Sequence, residues 1–153
     1  MTLRNLVVTG FAVIATLSAL PTTTMAESWV LVHADENNWT FLDVDSIERS
    51  GQAVTAWQVD IPRNVYFRGD QQISHYASQG RRECLASTLQ WLQSAVIGYD
   101  GANLGGSTSP TETIQLSAEG ARRMKGLCSG SEFEGPRFAS LDEVLVRFRK
   151  PAQ

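Results

Sequence analysis

Residues 81–98 read RRECLASTLQWLQSAVIG, and residues 117–128 read SAEGARRMKGLC. The two cysteines of the chain lie in these stretches, Cys84 in the first and Cys128 at the end of the second. A disulfide between them would fasten the later segment to the earlier one and stabilise the folded state by roughly 4 kcal/mol in a chain-entropy estimate. The two stretches therefore decide how the predicted fold is held together.

The first 26 residues have the order of features typical of a secretory signal peptide. Arg4 gives a short positive start, residues 6–20 form an apolar run, and Thr24 and Ala26 are the small residues before a cleavage position. The alternative is an uncleaved membrane anchor, but this run of about 15 residues is shorter than the roughly 20 that span a bilayer. We therefore expect an exported protein, either periplasmic or secreted to the cell surface, with no transmembrane segment in the mature chain.

Export favours a disulfide between Cys84 and Cys128 over the alternative of two free thiols, because an oxidising compartment removes free thiols. The sequence has no CxxC motif, and its two histidines, His33 and His75, stand far apart. A zinc site needs about four ligands at suitable spacing. We therefore predict a structural disulfide and no metal site.

The composition indicates a single acidic domain. The formal net charge is −3 at pH 7, and loss of the signal peptide removes one basic residue and no acidic one. A surface of this sign without a basic stripe argues against nucleic acid as a partner and against adhesion to anionic lipid headgroups. The predicted organisation is a signal peptide (1–26), one domain (27–130), and a linker with a C-terminal amphipathic helix (131–153).

The first half of the mature chain alternates apolar and polar residues as strands do. The strands predicted in this way span residues 29–33, 39–44, 53–61 and, with a weaker pattern, 73–78. The first two surround a polar turn and predict a hairpin. Between the second and third, residues 45–51 have the pattern of one helical turn, which Asp45 or Ser46 could cap and Gly51 could close.

The C-terminal half is divided by glycine-rich segments. Residues 100–110 predict a flexible connection, and residues 113–116 predict a brief strand. Ser140 and Glu143 have the spacing of a capping box. Apolar residues follow at helical spacing: Leu141, Val144, Leu145 and Phe148. The resulting C-terminal helix is predicted to pack either on its own domain or on a partner.

The two cysteine-bearing stretches differ in how clearly they indicate structure. Residues 81–89 alternate as a strand does, and residues 91–99 form a more apolar neighbour. A helix over residues 83–96 is the alternative, since four residues fall at helical spacing: Leu85, Leu89, Leu92 and Val96. Periodicity leaves that segment open between strand and helix. Residues 117–128 predict a helix that begins at Ser117 and has one apolar face: Ala121, Met124, Leu127 and Cys128.

Few side chains suggest chemistry. Asp43 and Asp45 are interpreted as acceptors of backbone hydrogen bonds in a turn, and His33 and His75 as surface or packing residues. Arg82, with its neighbours Arg81 and Glu83, is interpreted as part of a solvated strand end. The four tryptophans are predicted to pack in the core: Trp29, Trp39, Trp57 and Trp91. If several of them were instead exposed together, they would form a binding site.

We predict no catalytic, cofactor-binding or metal-binding residue. The alternatives are a small periplasmic hydrolase or a haem or metal carrier that uses a histidine.

A family resemblance sharpens this prediction. WVLV at residues 29–32, FLDVDSI at residues 41–47, RSG at residues 49–51 and then Trp57 resemble the opening of the surface-adhesin protein E family. The later landmarks fit as well, namely Cys84, a glycine-rich passage and a short helix that ends in Cys128. The resemblance covers residues 29–128. This sequence differs from the family in having no lipid-anchoring cysteine.

The resemblance implies an antiparallel sheet with a helix fastened across it by the disulfide. Together with the predicted strands and the predicted C-terminal helix, it gives an expected α+β fold with a sheet of about five or six strands, a disulfide-tethered helix packed on it and a short C-terminal helix. It favours strands for residues 83–96. It also implies a non-catalytic envelope protein of a Gram-negative bacterium that binds host extracellular-matrix or serum proteins through an exposed patch. The best basic cluster for such a partner is Arg122, Arg123 and Lys125, whose simpler interpretation is that these cations complement the helix dipole and keep the surface hydrophilic.

Overall fold

The structure is a computed structural model, and it describes residues 28–123, 125–131 and 133–152. The predicted signal peptide, residues 1–26, lies outside the described residues, as does Met124 of the predicted apolar helix face. None of the helices within the described ranges has the length and apolar character of a membrane span.

In the part of the chain that the structure describes, ten strands form one antiparallel sheet. Seven of them lie on its main path, and three short strands pair beside that path. Their bounds are β1 Trp29–Ala34, β2 Asn38–Asp43, β3 Glu48–Ser50, β4 Ala53–Pro62, β5 Phe67–Arg68, β6 Gln71–Glu83, β7 Thr88–Gly98, β8 Asn103–Ser107, β9 Ile114–Gln115 and β10 Arg137–Phe138. The main path runs β10-β1-β2-β4-β6-β7-β8, while β3 pairs with β4, β5 with β6 and β9 with β7. The hairpin predicted at the start of the mature chain is confirmed as β1 and β2.

The described ranges also contain three short helices: α1 Ala118–Arg123, α2 Lys125–Ser129 and α3 Leu141–Phe148. The predicted cap of α3 is confirmed, since the backbone N–H of Glu143 donates to Ser140 Oγ at 3.2 Å. The Glu143 carboxylate accepts from the backbone N–H of Ala139 at 2.9 Å. The return bond of this cap thus reaches one residue further back than in the usual capping box.

The predicted fold class, α+β with about five or six strands, is wrong, because the described residues form ten strands and only short helices. The additional strands are mostly two or three residues long, too short to show a period in the sequence. They form because their backbone groups pair with long neighbouring strands. The glycine-rich segment predicted to be a flexible connection likewise contains β8, which pairs with β7.

The helical turn predicted for residues 45–51 is also wrong. Residues 48–50 are strand β3, which pairs with β4, and Gly51 reverses the chain at a φ of +60°. Ser46 does not cap a helix, because its hydroxyl donates to the carbonyl of Asp43 at 2.8 Å and accepts the N–H of Trp57 at 2.9 Å. Contact with the neighbouring strand outweighs the local helical signal.

The ambiguous residues 83–96 form strand and turn rather than helix. β6 ends at Glu83, a turn follows in which Ser87 has a φ of 52°, and β7 begins at Thr88. The segment predicted as a weaker strand, residues 73–78, belongs to β6, the 13-residue strand that pairs with both β4 and β7.

Each face of the sheet packs against different helices. One face holds a core of Trp29, Phe41, Val59, Ile61, Phe138 and Val144, and α3 covers it. Within this core Phe148 contacts Phe41 edge to face, with ring centroids 4.9 Å apart. The C-terminal helix therefore packs on its own domain.

On the opposite face, α2 contributes Leu127 to a smaller core that also contains Leu42, Val54 and Ala56. The predicted disulfide between Cys84 and Cys128 is confirmed, with the two Cα atoms 5.7 Å apart. It joins the end of β6 to α2. The bond thus fixes α2 against this second face of the sheet.

Candidate functional site

An apolar cleft of about 200 Å³ lies between the second face of the sheet and the segment that contains α1 and α2. We call it the α2 cleft. Its apolar lining comes from strands β1, β2 and β7 and from the segment above them: Val32, Leu42, Leu89, Trp91, Leu116, Leu127 and Phe133. The disulfide beside Leu127 holds this segment in place.

An irregularity in β1 brings an additional side chain into the α2 cleft. The pairing of β1 with β2 shifts register between Leu31 and His33. Successive side chains of a regular strand point to opposite faces, but the bulge lets both Val32 and His33 line the cleft.

A polar network crosses the floor of the α2 cleft and centres on Arg82. Its guanidinium donates to Gln58 Oε1 at 2.6 Å and to the carbonyl of Gly80 at 3.3 Å. The Gln58 amide in turn donates to Asp60 at 2.9 Å, and the hydroxyl of Thr40 donates to the same carboxylate at 2.6 Å. Thr40 pairs directly with Asp60 across β2 and β4, and Gln58 pairs with Ser78 across β4 and β6. The side chains share one face because Gln58 lies two residues from Asp60 and Arg82 four residues from Ser78.

Arg82 places a positive charge in a buried position, with only 6% of the residue exposed. Burial lowers its pKa to about 10, while the charge of Asp60 acts in the opposite direction. The guanidinium therefore stays protonated at neutral pH. Within the described ranges, no ion pair joins Arg82 to a carboxylate.

Gly80 makes room for this arrangement. A Cβ at Gly80 would lie 3.0 Å from atoms of Leu89 and Trp91 and 3.2 Å from the Arg82 guanidinium. The Trp91 ring centroid is 5.9 Å from the guanidinium carbon of Arg82. The absent side chain thus lets the cation and the indole share the floor of the cleft.

His33, at the edge of the α2 cleft, carries a carboxylate partner. Its Nε2 lies 2.9 Å from Asp35 Oδ2. The pKa of Asp35 is lowered to about 2, chiefly by the backbone N–H of Asn38 and then by His33 and the N–H of Asn37. A histidine beside a carboxylate is the pair that the hydrolase alternative would use, and that alternative stays a hypothesis.

The other histidine, His75, is not among the cleft residues. It is buried, and its Nδ1 lies 3.0 Å from Ser74 Oγ. Burial, with a smaller contribution from the charge of Arg149, lowers its pKa to about 4. Its interpretation as a packing residue is consistent with this burial.

The predicted cation cluster is exposed, but its members have different surroundings. Arg123 forms an ion pair with Glu119 one turn earlier in α1, which lowers the pKa of Glu119, and it also lines the α2 cleft. Arg122 adjoins the same pair in a shallow surface depression. Lys125 is the first residue of α2.

The residues at the floor of the cleft were missed by sequence reasoning. Arg82 was interpreted as part of a solvated strand end, which is wrong, whereas its neighbour Arg81 is exposed and pairs with Glu83 at 2.9 Å. Gln58 and Asp60 lie two residues apart in β4 and so share a face of the sheet, but such alternation alone does not show which face is covered. Asp43 behaves as predicted, since it accepts the backbone N–H of Asp45 at 3.1 Å.

Within the described ranges, no group of three or more His, Cys, Asp or Glu residues could hold a metal ion. Comparisons with protein-family models, with curated proteins and with solved structures find no match to this chain. The resemblance to the surface-adhesin protein E family therefore stays a prediction.

Proposed function

We propose that this protein is an exported, non-catalytic binding protein of the bacterial cell envelope, and that its ligand occupies the α2 cleft. The cleft itself carries the proposal. Protein interiors normally fill such space with side chains, whereas concave sites lined by apolar groups and a few polar ones are typical of small-ligand binding. The disulfide supports export, since such bonds persist in oxidising compartments.

The dimensions favour a small ligand. The volume of about 200 Å³ is below the ~300–1,000 Å³ of clefts that hold drug-sized molecules. The rigid floor of paired strands and the fastened helix above it would bind such a ligand with little rearrangement. Little affinity would then be lost to ordering the protein.

Titration with 1-naphthylamine, a neutral apolar fluorescent dye small enough for a cleft of about 200 Å³, tests this proposal. We expect saturable binding at one site, and a loss of binding in Leu116→Trp, which adds an indole at the half-buried edge of the cleft. Val146→Trp is the matched control, because it adds the same ring at a position of α3 that is 84% exposed. Absence of saturable binding, or equal binding by the two variants, would contradict the proposal.

A second candidate function is adhesion to a large host matrix or serum protein, as the family resemblance implies. Its support in the molecule is exposure, since Arg122, Arg123 and Lys125 all face solvent. A pull-down of vitronectin or laminin, repeated with these three cations replaced by Gln, tests it. No binding by the unmodified protein would remove adhesion to these two ligands, while equal binding by both forms would remove only the cation cluster.

The hydrolase alternative depends on the pair of His33 and Asp35. Among the described residues, no serine, threonine or cysteine forms a hydrogen bond with His33, so a hydrolase here would have to use water. Any esterase activity toward p-nitrophenyl acetate would then disappear in His33→Ala and persist in the control Asp45→Asn. Equal activity in the two variants would remove this alternative.

A further inference from the structure

We propose that the α2 cleft binds a small aliphatic carboxylate, with the anionic head at Arg82 and the hydrocarbon chain against Leu89, Trp91 and Leu127. This inference rests on the proposed function, since it names the ligand of the same cleft.

The first argument is the incomplete pairing of a buried cation. A guanidinium has five N–H donors, and Arg82 uses its two terminal nitrogens for one neutral amide oxygen and one carbonyl. Buried charges are normally paired with an opposite charge. A ligand carboxylate would supply that charge through two parallel hydrogen bonds, the geometry that arginine favours.

The second argument is that Asp60 does not occupy this role. Its two oxygens accept hydrogen bonds from Thr40 and from Gln58, and Gln58 stands between Asp60 and Arg82 in the network. Gln58 thus orients Arg82 and links it to Asp60 through hydrogen bonds, but the amide has no charge of its own. The guanidinium keeps donor capacity for a ligand.

The third argument is the sign of the charge along the cleft. Arg82 and Arg123 both line it, and no described Asp or Glu does. At the edge of the cleft, Arg123 is already paired with Glu119 and His33 with Asp35. The uncompensated charge is therefore that of Arg82 at the floor, which attracts an anion and repels a cation. Because Arg82 is buried, salt would screen its contact with an anion only weakly.

The fourth argument concerns the remainder of the ligand. A water molecule occupies about 30 Å³ of liquid, and a methylene is of similar size, so a cleft of about 200 Å³ holds a chain of roughly six to eight carbons. Each methylene moved out of water should improve affinity roughly fourfold. Affinity should therefore rise from butanoate to octanoate and level off for longer chains that extend beyond the cleft.

Isothermal titration calorimetry tests the proposal with octanoate below its micellar concentration, alongside octanol and octylammonium. We expect octanoate to bind at least about tenfold more tightly than either of the others, the size of effect that a hydrogen bond to a charged group supports. Arg82→Gln should weaken octanoate binding by a similar factor. Arg81→Gln, which removes the neighbouring exposed cation, should stay within about twofold of the unmodified protein.

The neutral dye separates the two proposals. If Arg82→Gln binds the dye as before but loses octanoate, both proposals are supported. Retention of octanoate binding by Arg82→Gln, or equal binding of octanol and octanoate by the unmodified protein, would overturn the carboxylate proposal and leave the cleft a neutral site. Failure of the dye to bind the unmodified protein would overturn the proposed function itself.

Arg82→Lys provides the second variant in case Arg82→Gln does not fold. Lysine keeps the charge but not the fork of donors, so we expect octanoate affinity between that of the unmodified protein and that of octanol. Binding of octanoate by Arg82→Lys no tighter than octanol binding, with a native circular dichroism spectrum, would count against a charge-based site.

Discussion

At the scale of single residues, two buried titratable side chains, Arg82 and His75, differ in charge state. Arg82 stays charged in the floor of the α2 cleft, with hydrogen bonds to neutral oxygens. His75 is held neutral, because burial and the nearby charge of Arg149 lower its pKa to about 4. The first arrangement is the basis of the proposed carboxylate binding, and from the second we predict that stability depends on pH.

We predict that the free energy of unfolding falls as the pH drops from about 6.5 to 4. The folded protein favours neutral His75, whose pKa of about 4 lies below the ordinary 6.5. This stabilisation is therefore complete above pH 6.5 and is lost as the pH falls towards 4, with a total on the order of 3 kcal/mol. Urea unfolding at several pH values measures it.

His75→Gln should remove most of this pH dependence, while His33→Gln, at the edge of the cleft, should retain it. Carboxylates with lowered pKa values, such as Asp35 at about 2, lose their stabilisation only below about pH 4, so the two effects occupy different ranges. An unchanged slope in His75→Gln would contradict the assignment.

A second residue-scale prediction concerns Gly80. Gly80→Ala should destabilise the fold by about 1–3 kcal/mol, because the new Cβ would lie 3.0 Å from atoms of Leu89 and Trp91. Gly126→Ala in α2 is the control, since its Cβ would meet Phe133 at an ordinary 3.4 Å. The control should be neutral or stabilising by up to about 1 kcal/mol. Equal stability of the two variants in urea unfolding would contradict the crowding at Gly80.

At the scale of elements, α2 and α3 stabilise the sheet by different means. α3 inserts Val144 and Phe148 into the aromatic core, so packing holds it. α2 has five residues and one buried side chain, Leu127, and the disulfide to β6 supplements that small contact. A short helix held in this way covers the sheet while leaving space beneath it.

We predict that removing the disulfide, by replacing both Cys84 and Cys128 with Ser, lowers the free energy of unfolding by roughly 4 kcal/mol, because a long loop is then free in the unfolded chain. Binding of the neutral dye should also weaken, since the segment above the cleft would lose its covalent attachment. Urea unfolding and dye titration measure the two effects. Dye affinity unchanged in a folded double variant would show that the disulfide does not position this segment.

For α3, we predict that Phe148→Ala costs about 3 kcal/mol. The ring makes edge-to-face contacts with Trp39, Phe41 and Phe138, with centroids 4.9 to 5.6 Å apart. The control Val146→Ala lies on the exposed side of the same helix and should change stability by less than about 0.5 kcal/mol. Similar losses in the two variants would contradict the packing of α3 through its aromatic face.

At the scale of the whole molecule, the two faces of one sheet are packed differently. The face under α3 is filled by large side chains and supplies the main stabilisation through apolar burial. The face under α1 and α2 is only partly filled and contains the cleft with its polar floor. Ligand binding on this second face therefore does not require the main core to open.

Several features could be predicted from patterns within short stretches of sequence. The pairing of the two cysteines followed from their number and the predicted export. The β1–β2 hairpin followed from alternation around a polar turn, and α3 from Ser140 and Glu143 at its start. These features depend on nearby chemistry or on a bond that has one possible partner, so the sequence alone determined them.

Tertiary contacts decided the rest. Residues 48–50 form strand β3 rather than a helical turn because their backbone groups pair with β4. The shortest strands likewise occur where a longer neighbouring strand pairs with them. Arg82 is buried while Arg81 is exposed because β6 turns one side chain toward α2 and the next toward solvent. Burial depends on which segments cover a face, and that is fixed by contacts between residues far apart in the sequence.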